Sequence, residues 1–218
     1  MPTTGEQLAA WYRTELGRTL GRQEREVIRQ ALSCVPGVRI VQIGTLADCM
    51  AIPVNRKVTH AIVDPYGQGG LDTTMIANGE ALPFQNESVD IVIILHALEF
   101  SENPQQLLYE SERVLSQDGY LLVLGFNPFS FWGIERFVHF RFGRAPWKGK
   151  YRSTWRLHDW FKVMGLDLEF EQRFFYRPPI QRRRFLRRLN FIEGIGRRYL
   201  KPFAGDYVLL ARKRVVPL

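Results

Sequence analysis

Residues 90–95, DIVIIL, limit the fold of this chain more than any other stretch. Five consecutive apolar residues are too uniform for a strand with one wet face, so the run reads as a strand buried on both sides, the pattern of a parallel sheet covered by helices. Residues 38–43, VRIVQI, have the same near-continuous apolar character, and Gly44 follows where the chain must turn tightly. Shorter strand signals fall at 60–63, ending at Asp64, and at 74–76, 120–125, 166–170 and 207–211. Helical stripes separate them. Leu8, Tyr12 and Leu16 recur at i+4, and Val27, Ile28, Ala31 and Leu32 make a second stripe, so the first 35 residues read as two amphipathic helices closed by Pro36 and Gly37. Asn103 and Pro104 start a helix whose Leu107, Leu108, Ser111, Val114 and Leu115 share a face, and Asp118–Gly119 turns the chain into the next strand. Ser130 can cap a helix through Ile134, Phe137 and Val138, and Leu157, Trp160, Phe161 and Met164 form one more, closed by Gly165. Strands alternating with helices imply an α/β fold with a mostly parallel sheet, an antiparallel strand being allowed at one edge.

The 218 residues fit one α/β domain and can bury a sizeable core. No run approaches the ~20 apolar residues of a membrane span, and MPTTGEQLAA lacks the basic-then-apolar layout of a secretory signal. The two cysteines, Cys34 and Cys49, have no metal-type spacing, so neither a disulfide framework nor a structural metal is expected, and the cytoplasm is the default location. The net charge of +8 is unevenly placed. Residues 1–135 carry nine basic against sixteen acidic side chains; residues 136–158 carry seven against none, and residues 177–218 twelve against two. An acidic front followed by two basic segments points to an anionic partner: a phosphate-bearing substrate, RNA or a lipid headgroup surface. The segment GFNPFSFWGIERFVHFRFGR, 125–144, mixes aromatics with arginine and suits a lid over an apolar substrate or a helix lying on a membrane surface, which makes a membrane-peripheral location the second expectation; it suits ordinary core packing as well.

Residues 78–125 carry a further pattern, NGEALPFQNESVDIVIILHALEF and then NPQQLLYESERVLSQDGYLLVLG. This resembles the class I S-adenosylmethionine-dependent methyltransferases, in the branch of the ubiquinone and menaquinone C-methylases (methyltransferase type 11). The resemblance covers about half the chain. It implies a Rossmann-like, doubly wound, mostly parallel sheet of seven strands in residues 38–218, with residues 1–37 as an N-terminal helical extension and a basic insertion at about 177–203 before the last strand. It also implies S-adenosylmethionine as cofactor and S-adenosylhomocysteine as product, held in the crevice at the carboxyl ends of the strands.

Carried over residue by residue, the resemblance makes Gln42, Gly44, Thr45, Leu46, Asp64, Asn78, Gly79 and Glu80 the cofactor-binding positions. The glycine-rich loop departs from the family's pattern: Gln42 stands for the acid before it, Leu46 for its second glycine and Asp48 for its third. Leu46 would crowd the methionine end of the ligand, since only glycine lets the backbone approach closely. Asp64 can accept from both ribose hydroxyls, while Asn78 and Gly79 lie where the family meets adenine. His96, with Glu99 after the fourth strand, is the candidate catalytic base; a histidine hydrogen-bonded within the turn is the competing reading. Glu110, Glu112 and Arg113 read as helix-surface charges, with a pair formed within the helix as the default. Two functions follow: methyl transfer to an anionic or amphipathic substrate, or an inactive scaffold of the same fold that binds RNA, a membrane surface or a partner protein.

Overall fold

The computed structural model describes residues 4–44, 58–66, 74–139, 147–178 and 200–214. Helices α1 (Thr4–Tyr12) and α2 (Glu15–Ala31) precede strand β1 (Arg39–Ile43). Strands β2 (Thr59–Asp64), β3 (Met75–Ile76) and β4 (Val89–Leu95) follow, then α3 (Pro104–Val114), β5 (Leu115–Phe126), α4 (Phe131–His139), α5 (Thr154–Val163), β6 (Leu166–Phe174) and β7 (Asp206–Lys213). The seven strands form one sheet in the order β3-β2-β1-β4-β5-β7-β6. The strands from β3 to β5 pair in parallel, while β7 is antiparallel to both β5 and β6. The antiparallel strand therefore lies one place in from the edge. A chain that returns to fill the gap beside β5 must enter from the opposite end of the sheet.

Three elements differ from the periodicity. Leu16 belongs to α2, because the chain breaks at Thr14, whose hydroxyl accepts from the Gly17 amide and caps the second helix. Strand β5 begins five residues earlier than its apolar core, with Asp118 in the left-handed region at φ 61° where the pairing with β4 shifts register between Val89 and Ile91. Strand β6 runs on to Phe174 as a mostly exposed edge paired along its length to β7.

Each face of the sheet has its own core. On one, Leu20, Val27 and Ile28 of α2 meet Ile40, Ile91, Ile93, Leu122 and Val208, with Trp11 of α1 and Trp132 of α4 in the same cluster. On the other, Leu107 and Leu108 of α3 and Leu157 and Phe161 of α5 meet Val41, Val92, Ile94, Val123 and Leu209. Alternation along the strands assigns these faces: even positions of β1 and, beyond the register shift at Val89, odd positions of β4 look toward α2. The N-terminal helices thus share the sheet's own core. Among the described residues, no helix is long and apolar enough to cross a membrane.

Two ion pairs tie the sheet to its connections. At the start of β4, one Asp90 oxygen accepts from the amides of Val38 and Arg39 at 2.9 and 3.0 Å, and the other meets the Arg39 guanidinium. Arg113 makes the expected pair within the helix, with both Glu110 oxygens, and also donates to the carbonyls of Leu82 and Phe84 and to the Asn86 side chain. Glu110 in turn accepts from the Leu82 amide. The pair is a brace that fixes the ALPF turn onto α3, because a guanidinium can satisfy several carbonyls at once.

Replacing Arg113 by Gln removes hydrogen bonds made by a charged donor, and urea unfolding should show a loss of about 2 kcal/mol. For Asp90, partial burial alone would raise the carboxyl pKa, but the bonds from Arg39 and from the Val38 and Arg39 amides outweigh it and hold it below the usual range. A group whose folded pKa is depressed adds stability above its unfolded value of about 3.9 and loses it as pH falls through the folded one. Asp90→Asn should therefore be less stable than wild type at pH 6, with the gap in urea midpoint closing as the pH is taken below about 4. A gap that stays constant across that range would assign the effect to shape alone.

Candidate functional site

Strand order reverses between β1 and β4, which opens a crevice at their carboxyl ends. A cavity of about 260 Å³ lies there, formed by Pro65 and Tyr66 after β2, the turn Asn78–Gly79–Glu80, and Ala97, Phe100 and Ser101 after β4. Tyr66 and Phe100 set their rings edge to face, 6.1 Å apart, along its wall. Asn78, Gly79 and Glu80, three of the expected cofactor positions, line this cavity. Asn78 is exposed and its side-chain oxygen accepts from the Glu80 amide, a turn that fixes the loop. The Glu80 carboxylate accepts from Ser101 and from the Asn103 amide, which holds the entry to α3.

The remaining expected residues flank the cavity. Asp64 ends β2 with 2% of its surface exposed, and one oxygen accepts from the Tyr66 amide. Gly44 closes β1 at φ 88°, and a side chain there would run into the Leu95 carbonyl of β4, so this position needs glycine for both reasons. Gln42, fully buried on the α2 side, donates its amide to the Gly44 carbonyl at 3.0 Å and so shapes the same turn. Thr45, Leu46 and Asp48 lie outside the described residues.

At the floor of the crevice stands a buried polar cluster. His96 takes a left-handed backbone, φ 47°, uncommon for a residue with a side chain and a form of strain that gathers at functional sites. Its amide donates to Leu124 of β5 and its carbonyl accepts from the Tyr66 hydroxyl, so neighbouring elements hold the turn. The imidazole is fully buried and stacks on Phe126 at 4.1 Å between ring centroids. Nε2 lies 3.1 Å from Glu24 of α2, and Nδ1 lies 3.4 Å from Glu99. Glu24 also accepts from the Tyr12 hydroxyl at 2.8 Å, and Glu99 from the Phe126 amide at 2.7 Å. Asp206, at the start of β7, completes the group, and all of these acidic side chains are buried to within 2%.

Burial alone would lower the pKa of His96, but the hydrogen bonds to Glu24 and Glu99 outweigh it and push it up to about 10. Burial first, then the charge of Glu24, raises the carboxyl of Asp206 and the phenol of Tyr12 well above their ordinary ranges. Both ring nitrogens of His96 face carboxylates rather than the cavity. The sequence named His96 and Glu99 but missed Glu24 and Asp206. The signal for Glu24 was its position: it falls four residues after Leu20 and four before Ile28, on the buried stripe of α2.

Residues 40–123 match the family model of a methyltransferase domain. The uncharacterized protein YafS of Escherichia coli is 30% identical over 145 residues, 65% of this chain and 58% of the relative. MJ1123 of Methanocaldococcus jannaschii, also uncharacterized, is 41% identical over 93 residues, 41% of this chain and 45% of its own length. The chain thus spans about half the length of these curated relatives. Among solved structures, the complex of the Trm112 methyltransferase activator of Haloferax volcanii with a methyltransferase aligns at TM-score 0.65 and 15% identity, covering 99% of this chain and 100% of that one. A SAM-dependent methyltransferase from Thermotoga maritima gives 0.61 at 21% identity over 90% and 97%, and one from Mesorhizobium loti 0.60 at 15% over 86% and 96%.

The family and the fold imply S-adenosylmethionine as cofactor. The cavity suits the adenosine half: aromatic edges on one side, a polar turn on the other, and a buried carboxylate at the adjoining strand end. Residues 40–123 thus match the model of a methyltransferase domain, and the seven-stranded sheet that holds them has the fold seen in S-adenosylmethionine-dependent methyltransferases.

Proposed function

We propose that the protein transfers a methyl group from S-adenosylmethionine to an anionic or amphipathic acceptor. The observation that carries the reading is the cavity between Tyr66, Asn78, Gly79 and Phe100, which has the size and lining of an adenine slot at the point where strand order reverses. Asn78 and Gly79 would hold the adenine edge, Asp64 the ribose, and Gln42 and Gly44 would shape the turn that faces the methionine end. When bound, the cofactor supplies a methyl group on a positively charged sulfur. The protein's task is then alignment, since an in-line displacement gains most of its acceleration from holding the two partners in contact.

His96 takes a positioning role in this scheme. With the ring buried and a carboxylate at each nitrogen, it holds the β4 turn against α2 instead of reaching an acceptor. An acceptor that loses its proton easily, or that attacks through an electron-rich carbon or sulfur, needs no base.

The rim beside the crevice supports an amphipathic acceptor. Phe129, Phe131 and Ile134 are 66%, 49% and 63% exposed, and Phe203 is 49% exposed. Asn127 ties their two segments together by donating to the carbonyls of Pro202 and Ala204. The two basic stretches adjoin these residues in sequence. Exposed aromatics next to arginines suit a lipid-like acceptor or the surface of an anionic membrane. The Haloferax relative's complex with an activator makes a small partner protein a second candidate, and co-purification would identify it.

Calorimetric titration with S-adenosylhomocysteine should give micromolar-to-millimolar binding, with adenosine competing. Asp64→Ala should weaken it by about tenfold or more, and Asn78→Ala by about three- to tenfold. No heat and no thermal shift at millimolar ligand would replace the transferase reading with that of an inactive scaffold. Vesicles tell the acceptor side apart: Phe129→Ala with Phe131→Ala should reduce sedimentation with anionic vesicles while leaving S-adenosylhomocysteine affinity unchanged. Binding to bulk RNA but not to vesicles would point to a nucleic-acid acceptor.

A further inference from the structure

We infer that Glu24, His96 and Asp206 form a buried divalent-metal site that fastens the N-terminal helices to the carboxyl rim of the sheet. Three separate elements deliver the donors: α2, the turn after β4 and the start of β7. One nitrogen or oxygen from each lies within 4.8 Å of the others. The Glu24 oxygen and His96 Nε2, 3.1 Å apart, have the separation of neighbouring ligands on an ion bound at about 2.1 Å.

The surroundings are those of a ligating histidine. Nδ1 faces the Glu99 carboxylate, which is itself anchored by the Phe126 amide, so a proton is held at Nδ1, and Nε2, on the Glu24 side, becomes a ligand once an ion displaces its proton. The Tyr12 hydroxyl fixes the Glu24 carboxylate in the same way.

A second, independent feature points to a cation. Both oxygens of Asp206 and the second oxygen of Glu24 are buried without a hydrogen-bond donor, as is the second oxygen of Glu99. Three fully buried carboxylates share one histidine here, and buried charges are found paired or on metals; a divalent ion would take the place of the protons that otherwise hold these groups together. One imidazole with carboxylates and no thiolate suits Mn2+ or Zn2+. The ion's work would be structural, since no donor is exposed: it neutralises the pocket and joins α2 to β4 and β7. This inference does not depend on methyl transfer.

The test is metal content and thermal stability. Protein purified without chelator is analysed by mass spectrometry of elements, then unfolded in guanidinium with EDTA, dialysed, and refolded with Mn2+, Zn2+, Mg2+ or none. The inference expects about one equivalent of Mn2+ or Zn2+ per chain and a melting temperature about 5 °C or more above that of the metal-free refolded protein. Asp206→Asn and Glu24→Gln should abolish both the bound metal and the metal-dependent shift. Wild-type protein that holds less than about 0.1 equivalent and refolds to one melting temperature in every buffer overturns it. So does an Asp206→Asn variant that keeps its metal. If either variant fails to fold, the wild-type content and shift decide alone.

Discussion

The contact between Glu24 and His96 is the one on which the rest of the site depends. It joins a helix that precedes the sheet to the carboxyl end of its central strand, and it does so where both side chains are fully buried. A buried polar group must be satisfied, so the Glu24–His96 distance of 3.1 Å fixes how α2 lies on the sheet. Removing one member would leave the other uncompensated, a loss of about 3–5 kcal/mol for a buried pair. The left-handed turn at His96 is held by the same arrangement, with Leu124 and Tyr66 fastening its backbone. That turn carries Ala97 and Phe100 into the wall of the cavity. The shape of the ligand site thus follows from a polar cluster that lies beneath it.

The two sides of the crevice have different chemistry. Toward β2 and the 78–80 turn the groups are small, neutral or hydrogen-bonded within their own loops, which suits a nucleoside. Toward β5 and β7 the polar cluster rests on a buried aromatic stack, with Phe126 between His96 and Trp132, and Tyr151 against it. Beyond it the rim exposes phenylalanines.

Much of the fold was legible from strand and cap chemistry. The uniform apolar runs at 38–43 and 90–95 became the central pair β1 and β4, because burial on both faces leaves no alternation to mistake. Asn103 and Pro104 started α3 as cap and first residue. The place of β7 was not legible, since no local pattern distinguishes an antiparallel strand at the edge from one inserted beside it. Arg113 read as a surface charge because its partners, the carbonyls of Leu82 and Phe84, lie about thirty residues away and carry no side-chain signal. Asn78, Gly79 and Glu80, which line the cavity, were singled out through the family resemblance, whereas Glu24 and Asp206 belong to no such motif. Their meaning is three-dimensional: a carboxylate on an apolar stripe is conspicuous only when the group it faces is known.

Hydrogen exchange measured with and without S-adenosylhomocysteine tests the central claim most directly, because it reports which backbone segments a ligand orders. The account predicts added protection at Tyr66, at Gly79 and Glu80, and at Ala97 through Ser101, with the exposed Phe129–Phe131 segment unchanged. Protection confined to other segments, or none at saturating ligand, would contradict the assignment of this crevice as the cofactor site.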